Sequence, residues 1–283
     1  MAIKLVTDSA SDILPREAER MGITIVPMTL LWDGVQYRDS FDMDHKAFFA
    51  RLEESDTLPT TSQVTPDAFA EVFQNLTANG DTVLLITISS VLSGTYQSAM
   101  IAAEGYEGKV YVVDSLSATV GQRLLVLSAL QMMKEGLPIE TIYKALMESR
   151  SQVRILARLD TLEYLKRGGR ISAAVAFAGG MLSIKPVITL EEGAIKLVGK
   201  ARGSKNGNNL LRKLVGECGG IDFNRPYSLV YSGQSGNLLQ QYIDDSADLW
   251  AQDTHTLPVS TIGAVIGTHV GPGAVGLAFF EKK

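Results

Sequence analysis

The stretch TVLLITISSVLSGTYQSA, residues 82–99, decides the fold class of this chain. Val83 to Ile88 is a continuous apolar run, which is typical of a strand buried on both faces of a parallel sheet. A polar turn follows, and a helix is predicted to start near Tyr96. The runs Lys4 to Thr7 and Val110 to Val113 show the same order of strand, polar turn and helix. The sequence therefore predicts an α/β protein with an N-terminal, doubly wound parallel sheet.

The segments between these units carry clear turn and helix signals. Leu14-Pro15 places a proline at a predicted helix start, and Gly22 ends that helix. Ile23 to Tyr37 is predicted to form two strands joined by Asp33-Gly34, a strong hairpin signal. Leu58 to Gln63 is predicted to be a loop, and the next helix opens at Pro66.

The second half has a different pattern. Ile184 to Leu190 and Ile195 to Lys200 flank a turn at Glu191-Glu192-Gly193, which predicts a hairpin. Hairpins mixed with helices indicate an α+β domain with a mixed or antiparallel sheet. We predict a domain boundary near Arg158, with domains at 1–158 and 159–283 and a ligand buried between them.

Composition and charge narrow the functional classes. The 283 residues carry a net charge of −5, which disfavours a general nucleic-acid binder. The single cysteine excludes an internal disulfide and fits a reducing compartment. No apolar run of membrane-spanning length and no secretory signal is found, so we expect a cytoplasmic protein. Residues 166–205 nevertheless hold eight basic and two acidic side chains, which makes them a basic island with a charge of +6.

Familiar catalytic motifs are missing. The chain has no P-loop, and Gly271 to Gly276 matches the dinucleotide pattern only literally, because too few residues follow it. We interpret it as a turn into a final strand. The three histidines, His45, His255 and His269, lack metal-ligand spacing, and the acidic residues form no obvious pair. We therefore expect no metal site, no cofactor and no catalysis by this chain alone.

Hydroxyl side chains cluster where the predicted strands end. Ligands of open α/β sheets bind outside the carboxyl ends of the strands, and a helix start such as Ser93-Gly94-Thr95 favours an anion. Each hydroxyl has an alternative role as a helix cap. Small-anion binding is thus a hypothesis at this point, with the ligand open. The residues concerned are Thr7, Ser9, Thr60, Thr61, Ser62, Ser89, Ser90, Ser93, Thr95, Ser115 and Ser117.

Seven ordered blocks show a family resemblance. They are TDSASD (7–12), TTSQ (60–63), ISSVLSGTYQSA (88–99), VDS (113–115), LEYLKRGGRIS (162–172), KP (185–186) and GTHVGPGAVG (267–276). On these blocks the chain resembles the DegV family of bacterial fatty-acid-binding proteins, which includes the FakB subunits of fatty acid kinase. One departure is Val64, which follows TSQ where the family usually has proline. We expect it to loosen the loop but to leave the hydroxyls in place.

The resemblance implies a role for several residues. It implies that Thr61 and Ser93 bind a fatty-acid carboxylate, adjoined by Ser62, Gly94 and Thr95, with His269 as a further partner. It also implies that the acid is presented to a separate ATP-binding kinase subunit, which forms an acyl phosphate for phospholipid synthesis. The basic island then offers candidates for a partner- or phosphate-facing patch, namely Arg167, Arg170, Lys200 and Arg202.

The last predictions concern the residues that would contact the acyl tail and the alternative functions of the chain. The apolar stretch from Ile171 to Ile184 is the candidate tunnel lining, with Phe177, Met181 and Leu182 as its large members, although an ordinary buried helix is the alternative. A stand-alone hydrolase or phosphotransferase that uses Ser93 and His269 is a second hypothesis, since the two could meet across a domain cleft. A small-ligand sensor or structural module is a third.

Overall fold

The structure is a computed structural model that describes residues 2–172, 183–250 and 254–282. Its first sheet is entirely parallel, with the strand order β2-β1-β6-β7, as the sequence predicts. Every side chain of Val83–Ile86 in β6 is buried, which explains the unbroken apolar run. The strands are β1 (Ile3–Asp8), β2 (Ile23–Val26), β6 (Thr82–Thr87) and β7 (Val110–Asp114).

The segment Ile23 to Tyr37 forms three strands, so the prediction of two was wrong. Its first part is β2, which pairs with β1. The chain then leaves the parallel sheet at Pro27-Met28 and forms an antiparallel hairpin across Asp33-Gly34. Both turn residues have a positive φ, 50° and 79°, which suits a two-residue hairpin turn. The three-stranded sheet, in the order β4-β3-β5, consists of β3 (Thr29–Trp32), β4 (Val35–Arg38) and β5 (Thr60–Ser62).

The second large sheet is mixed, in the order β10-β9-β8-β13-β11-β12, and only its β11–β12 pair is parallel. The predicted hairpin at Glu191-Glu192-Gly193 is confirmed, and so is the turn from Gly271 into the last strand. β8 belongs to this sheet although it ends at the predicted boundary, Arg158. The strands are β8 (Val153–Arg158), β9 (Ile184–Glu191), β10 (Ala194–Arg202), β11 (Ser228–Tyr231), β12 (Val259–Thr261) and β13 (Val275–Phe280).

One helix joins the two large sheets. α5 packs against β1 and β6 on one side and against β8, β11 and β13 on the other. Its apolar side chains are buried along most of its length, so the two sheets share a core. The α-helices of the described residues are α1 (Pro15–Met21), α2 (His45–Glu54), α3 (Pro66–Thr77), α4 (Thr95–Ala102), α5 (Thr119–Lys134), α6 (Ile139–Ser149), α7 (Glu163–Arg167), α8 (Ser204–Glu217), α9 (Asn237–Asp245) and α10 (Ala264–Val270).

The short helix α10 returns the C-terminal part of the chain to the N-terminal part. It packs against α2, α7, β3 and β5. The approach to α2 is close, because a Cβ on Gly267 would lie 2.7 Å from Phe48 and 2.8 Å from Phe49. α10 therefore forms a wall between the small sheet and the second large sheet.

Candidate functional site

An apolar cavity lies between the two large sheets. About 860 Å³ of space there is free of protein atoms, the open mouth included. Loops of the first sheet, strands of the second sheet and α10 all contribute side chains to its wall. Representative apolar members are Ile88, Ala157, Ile188, Ile195, Val265 and Ala274.

Four polar side chains of the cavity wall lie close together. Thr61 Oγ1 is 2.9 Å from His269 Nε2. Arg170 donates from Nε to the carbonyl of Leu92, the residue before Ser93. Thr61, Ser93, Arg170 and His269 all line the cavity. The structure thus brings together residues from four distant parts of the sequence.

Thr61 reaches the cavity because its segment is a strand. The loop predicted for Leu58 to Gln63 is wrong at Thr60–Ser62, since these residues form β5, which pairs antiparallel with β3. Side chains alternate between the faces of a strand, so Thr61 points inward while Ser62 is exposed. Ser62 is not among the residues that line the cavity.

Ser93 is held by Thr95 at the start of α4. The two hydroxyls are 3.0 Å apart, and Thr95 is fully buried behind the wall. Gly94 leaves room for Gln63, because a Cβ there would lie 2.1 Å from Gln63 Oε1. Val64 is buried, and its N–H donates to Thr95 Oγ1 over 3.4 Å. Proline could not make that bond, so Val64 ties the segment to the site and does not loosen it.

His269 is a half-buried, neutral imidazole. Burial, reinforced by the positive charge of Arg170, lowers the pKa of His269 to about 4. Its Nδ1 is buried with no hydrogen-bond partner among the described residues, and it faces Gly168. At neutral pH this side chain therefore offers one N–H and one lone pair without a charge of its own.

Most of the other hydroxyls at the strand ends serve the fold. Thr7 donates to the carbonyl of Ile86, and Ser89 donates to the carbonyl of Gly193. Ser90 donates to Asp114, and Ser115 donates to the carbonyl of Ser117. Their internal partners satisfy them, so the clustering of hydroxyls overstated the size of the site. A residue that the sequence analysis missed is Thr119, which lines the cavity at the start of α5.

The sequence shows no obvious pair of acidic residues, but the structure places two aspartates together. Asp12 and Asp39 are buried at the start of α10, and Asp8 is buried at the end of β1. Burial raises the pKa of Asp8 and of Asp39 to about 6 and that of Asp12 to about 8, and the charge of Asp39 adds to the rise at Asp8 and Asp12. Two of the three aspartates belong to the TDSASD block. The TDSASD block is therefore the sequence feature that could have pointed to Asp8 and Asp12. It does not indicate that the partner of Asp12 lies more than 200 residues away, at the start of α10.

The residues of the basic island occupy different surroundings. Arg170 is half-buried on the cavity wall, whereas Arg167, Lys200 and Arg202 are exposed. Arg167 forms an ion pair with Glu163 one helical turn earlier. The tunnel candidates Phe177, Met181 and Leu182 lie outside the described residues, so their placement stays a prediction.

The arrangement does not favour the stand-alone hydrolase. A nucleophilic serine needs a base within hydrogen-bond reach. Ser93 Oγ bonds to Thr95, and His269 Nε2 bonds to Thr61, so the two do not form such a pair. Among the described residues, no group of three potential ligands could hold a metal ion, and no helix is long and apolar enough to cross a membrane.

Comparison with known proteins assigns the chain to a family. A family model described as "Uncharacterised protein, DegV family" matches residues 2–282. The chain belongs to the DegV family. A DegV domain-containing protein of Caldanaerobacter subterraneus subsp. tengcongensis is 37% identical over 285 residues, 99% of each chain.

Solved structures of DegV proteins share the architecture described above. A fatty-acid-binding DegV family protein from Thermus thermophilus is 35% identical with a TM-score of 0.86, and the match covers 100% of both chains. A stearic-acid-binding protein from Eubacterium ventriosum is 29% identical with a TM-score of 0.85, and the match covers 100% of this chain and 99% of that one. Both of these proteins are described as fatty-acid-binding, and the mixed α/β fold of this chain matches theirs.

Proposed function

We propose that this chain binds one long-chain fatty acid and presents its carboxylate to a separate ATP-binding kinase subunit. The observation that carries the proposal is the grouping of Thr61, Ser93, His269 and Arg170 on the wall of a cavity that is otherwise almost entirely apolar. In this proposal the head group lies against those four residues and the tail occupies the apolar space. Relatives of the same fold that bind fatty acids support it.

The tail supplies most of the binding free energy. Each buried methylene gains about 0.8 kcal/mol, so a long acyl chain gains on the order of 10 kcal/mol before the costs of association. The wall residues that would contact it are chiefly Ile, Leu, Val and Ala. An apolar chain with a single polar end is the ligand class that such a wall favours.

The head group supplies orientation. A carboxylate that leaves water needs hydrogen-bond donors in exchange, and the two hydroxyls together with the neutral His269 can donate them. Arg170 is the positively charged member of the group, and no carboxylate of the described residues forms an ion pair with it. A fatty-acid carboxylate would complete both the hydrogen bonds and the charge balance.

The exposed basic residues support the second half of the proposal. Arg167, Lys200 and Arg202 present positive charge at the surface. Such a surface suits an acidic partner or a phosphate. Because the sequence contains no P-loop, we assign ATP binding and acyl-phosphate formation to the partner, whose product would serve phospholipid synthesis. We expect no turnover of ATP or acyl esters by this chain alone.

Native mass spectrometry of the purified protein tests the proposal directly. We expect a co-purified fatty acid, or stoichiometric uptake of added palmitate or oleate. Thr61→Val removes a hydroxyl from the wall and should weaken fatty-acid affinity about tenfold, because a hydrogen bond to a charged group contributes roughly 1.5–3 kcal/mol. Ser62→Ala is the matched control, since its hydroxyl lies on the exposed face of the same strand and its loss should change nothing. A folded protein that takes up neither acid would refute the proposal.

A further inference from the structure

Two aspartates from distant segments hold the start of α10. Asp12 Oδ1 accepts the N–H of Gly263 at 2.9 Å. Asp39 Oδ1 accepts the N–H groups of Ala264 and Val265 at 3.0 and 3.3 Å. The first N–H groups of a helix have no partner within the helix, so these carboxyls satisfy donors that would otherwise be buried and unpaired.

The fit around the helix start is close. A Cβ on Gly263 would lie 2.9 Å from Asp12 Oδ1, 3.1 Å from His45 Nε2 and 3.4 Å from Asp39 Oδ1. His45 is itself fixed, because its Nδ1 is 2.7 Å from Thr261 Oγ1. Both aspartates are buried, so water cannot take their place as the partner of these backbone groups.

The same helix carries cavity residues over its length. Val265, Ile266, His269 and Val270 all belong to the wall. His269 follows Gly263 by six residues, which corresponds to about 9 Å along the axis at 1.5 Å per residue. A seven-residue helix has too few internal hydrogen bonds to hold its position alone, so contacts with its neighbours, including those at its start, determine where His269 lies.

We propose that Asp12 and Asp39 are positioning residues for the head-group site. By fixing the start of α10, they hold His269 Nε2 beside Thr61 and so set the affinity for a carboxylate, without touching the ligand. This inference rests on the proposed fatty-acid function. Asp8 has a parallel role at the other side of the head-group residues in sequence, since its Oδ2 accepts the N–H of Ile88 at the start of the turn that leads to Ser93.

The test compares a fatty acid with the alcohol of the same chain length. Myristic acid and 1-tetradecanol share the tail and differ in the head group, so general damage to the cavity weakens both, whereas misplacement of His269 weakens chiefly the acid. For Asp39→Ala we expect about a tenfold loss of acid affinity and a change of less than about twofold for the alcohol. Asp39→Asn keeps the acceptor oxygen and should restore the preference for the acid.

A matched control separates positioning from the loss of any helix cap. Asp44 caps α2 in the same manner, with its Oδ1 accepting the N–H of Ala47 at 2.9 Å. Asp44→Ala should therefore leave the ratio of acid to alcohol affinity unchanged. If Asp39→Ala does not fold, Asp12→Ala, which removes a single bond, and Asp39→Glu, which displaces the carboxylate by one methylene, are measured in its place.

The outcomes distinguish this inference from the proposed function. A wild-type protein that binds neither compound contradicts the fatty-acid function itself. A wild-type protein that prefers the acid, together with folded Asp39 and Asp12 variants that keep the same preference, overturns the inference alone. An equal loss of acid and alcohol affinity also overturns it, because the aspartates would then support the cavity as a whole.

Discussion

The two ends of α10 lie in buried polar surroundings of opposite character. At its start, one oxygen of Asp12 and one of Asp39 accept backbone N–H groups, so the free donors of the helix are matched by acceptors within the protein. Around His269, one residue before the end of the helix, the surroundings are rich in donors, and no carboxylate of the described residues forms an ion pair there. Buried polar groups are normally satisfied. The matched end therefore serves the fold, while the unmatched end indicates where a ligand with acceptor oxygens would bind.

The largest expected effect concerns the charge at the unmatched end. Arg170→Gln removes the positive charge from the wall, and we expect fatty-acid affinity to fall between about tenfold and a hundredfold, in line with roughly 1.5–3 kcal/mol for a charge-assisted hydrogen bond. Affinity for a fatty alcohol of the same length should hardly change. Displacement of a fluorescent fatty acid measures both affinities.

Two variants serve as controls for Arg170→Gln: one at a nearby arginine and one that keeps the positive charge at position 170. Arg167→Gln removes an exposed charge that is paired with Glu163, and it should leave both affinities unchanged. Arg170→Lys keeps the charge and should recover part of the acid affinity. If acid and alcohol affinity fall equally in Arg170→Gln, the residue acts through its bonds to the carbonyls of Leu92 and Gly168, and the contrast between the two ends of α10 is broken.

Local patterns made much of the fold predictable. The run Val83 to Ile88 is buried in the middle of a sheet, and burial on both faces leaves an unbroken apolar signature. Asp33-Gly34 specifies its hairpin through backbone angles alone. The separation of Ile23–Val26 from Thr29–Trp32 was missed, because an apolar strand does not indicate in its own sequence which sheet it will join.

The site was predictable only in part. Thr61, Ser93 and His269 were named through the family resemblance, and the structure adds that they share a wall with Arg170. The role of the aspartates at the start of α10 could not be predicted from the sequence, because Asp12 and Gly263 are 251 residues apart and no local periodicity links them. Likewise, only the three-dimensional contacts distinguish the hydroxyl of Ser93 from that of Ser89, which is bonded to Gly193.

The buried aspartates at the start of α10 should affect how the free energy of unfolding depends on pH. Burial raises the pKa of Asp12 to about 8 from 3.8, so the folded protein keeps a proton that the unfolded chain has lost. The unfolding free energy therefore falls as the pH rises from about 4 to about 8. His45 and His269 have lowered pKa values and act in the opposite direction below pH 6.5, and Asp8 and Asp39 titrate near 6. The range from pH 6.5 to 8.5 thus reports mainly on Asp12.

Denaturant unfolding at these two pH values measures the effect. We expect the wild type to lose on the order of 2 kcal/mol between them, from 1.36 kcal/mol per pKa unit. Asp12→Asn keeps the acceptor for Gly263 but cannot ionise, so its curve should be flatter by that amount. Asp56→Asn, at an exposed position, should retain the slope of the wild type. Parallel curves for the wild type and Asp12→Asn would contradict the assignment of a buried, protonated Asp12.

The smallest expected effect concerns the space beside His269. A Cβ on Gly168 would lie 2.1 Å from His269 Nδ1 and 2.8 Å from its Cε1, so Gly168→Ala must push the imidazole away from α7. The backbone at Gly168 has an ordinary helical φ of −72°, and alanine therefore introduces crowding without backbone strain. We expect fatty-acid affinity to fall about threefold to tenfold, consistent with about 1 kcal/mol for overpacking. Gly216→Ala, with no atom within 4 Å of the added Cβ, serves as the control in α8 and should leave affinity unchanged. An unchanged affinity in folded Gly168→Ala would mean that the position of His269 does not affect binding of the head group. It would contradict the proposal that the head group binds at the donor-rich end of α10.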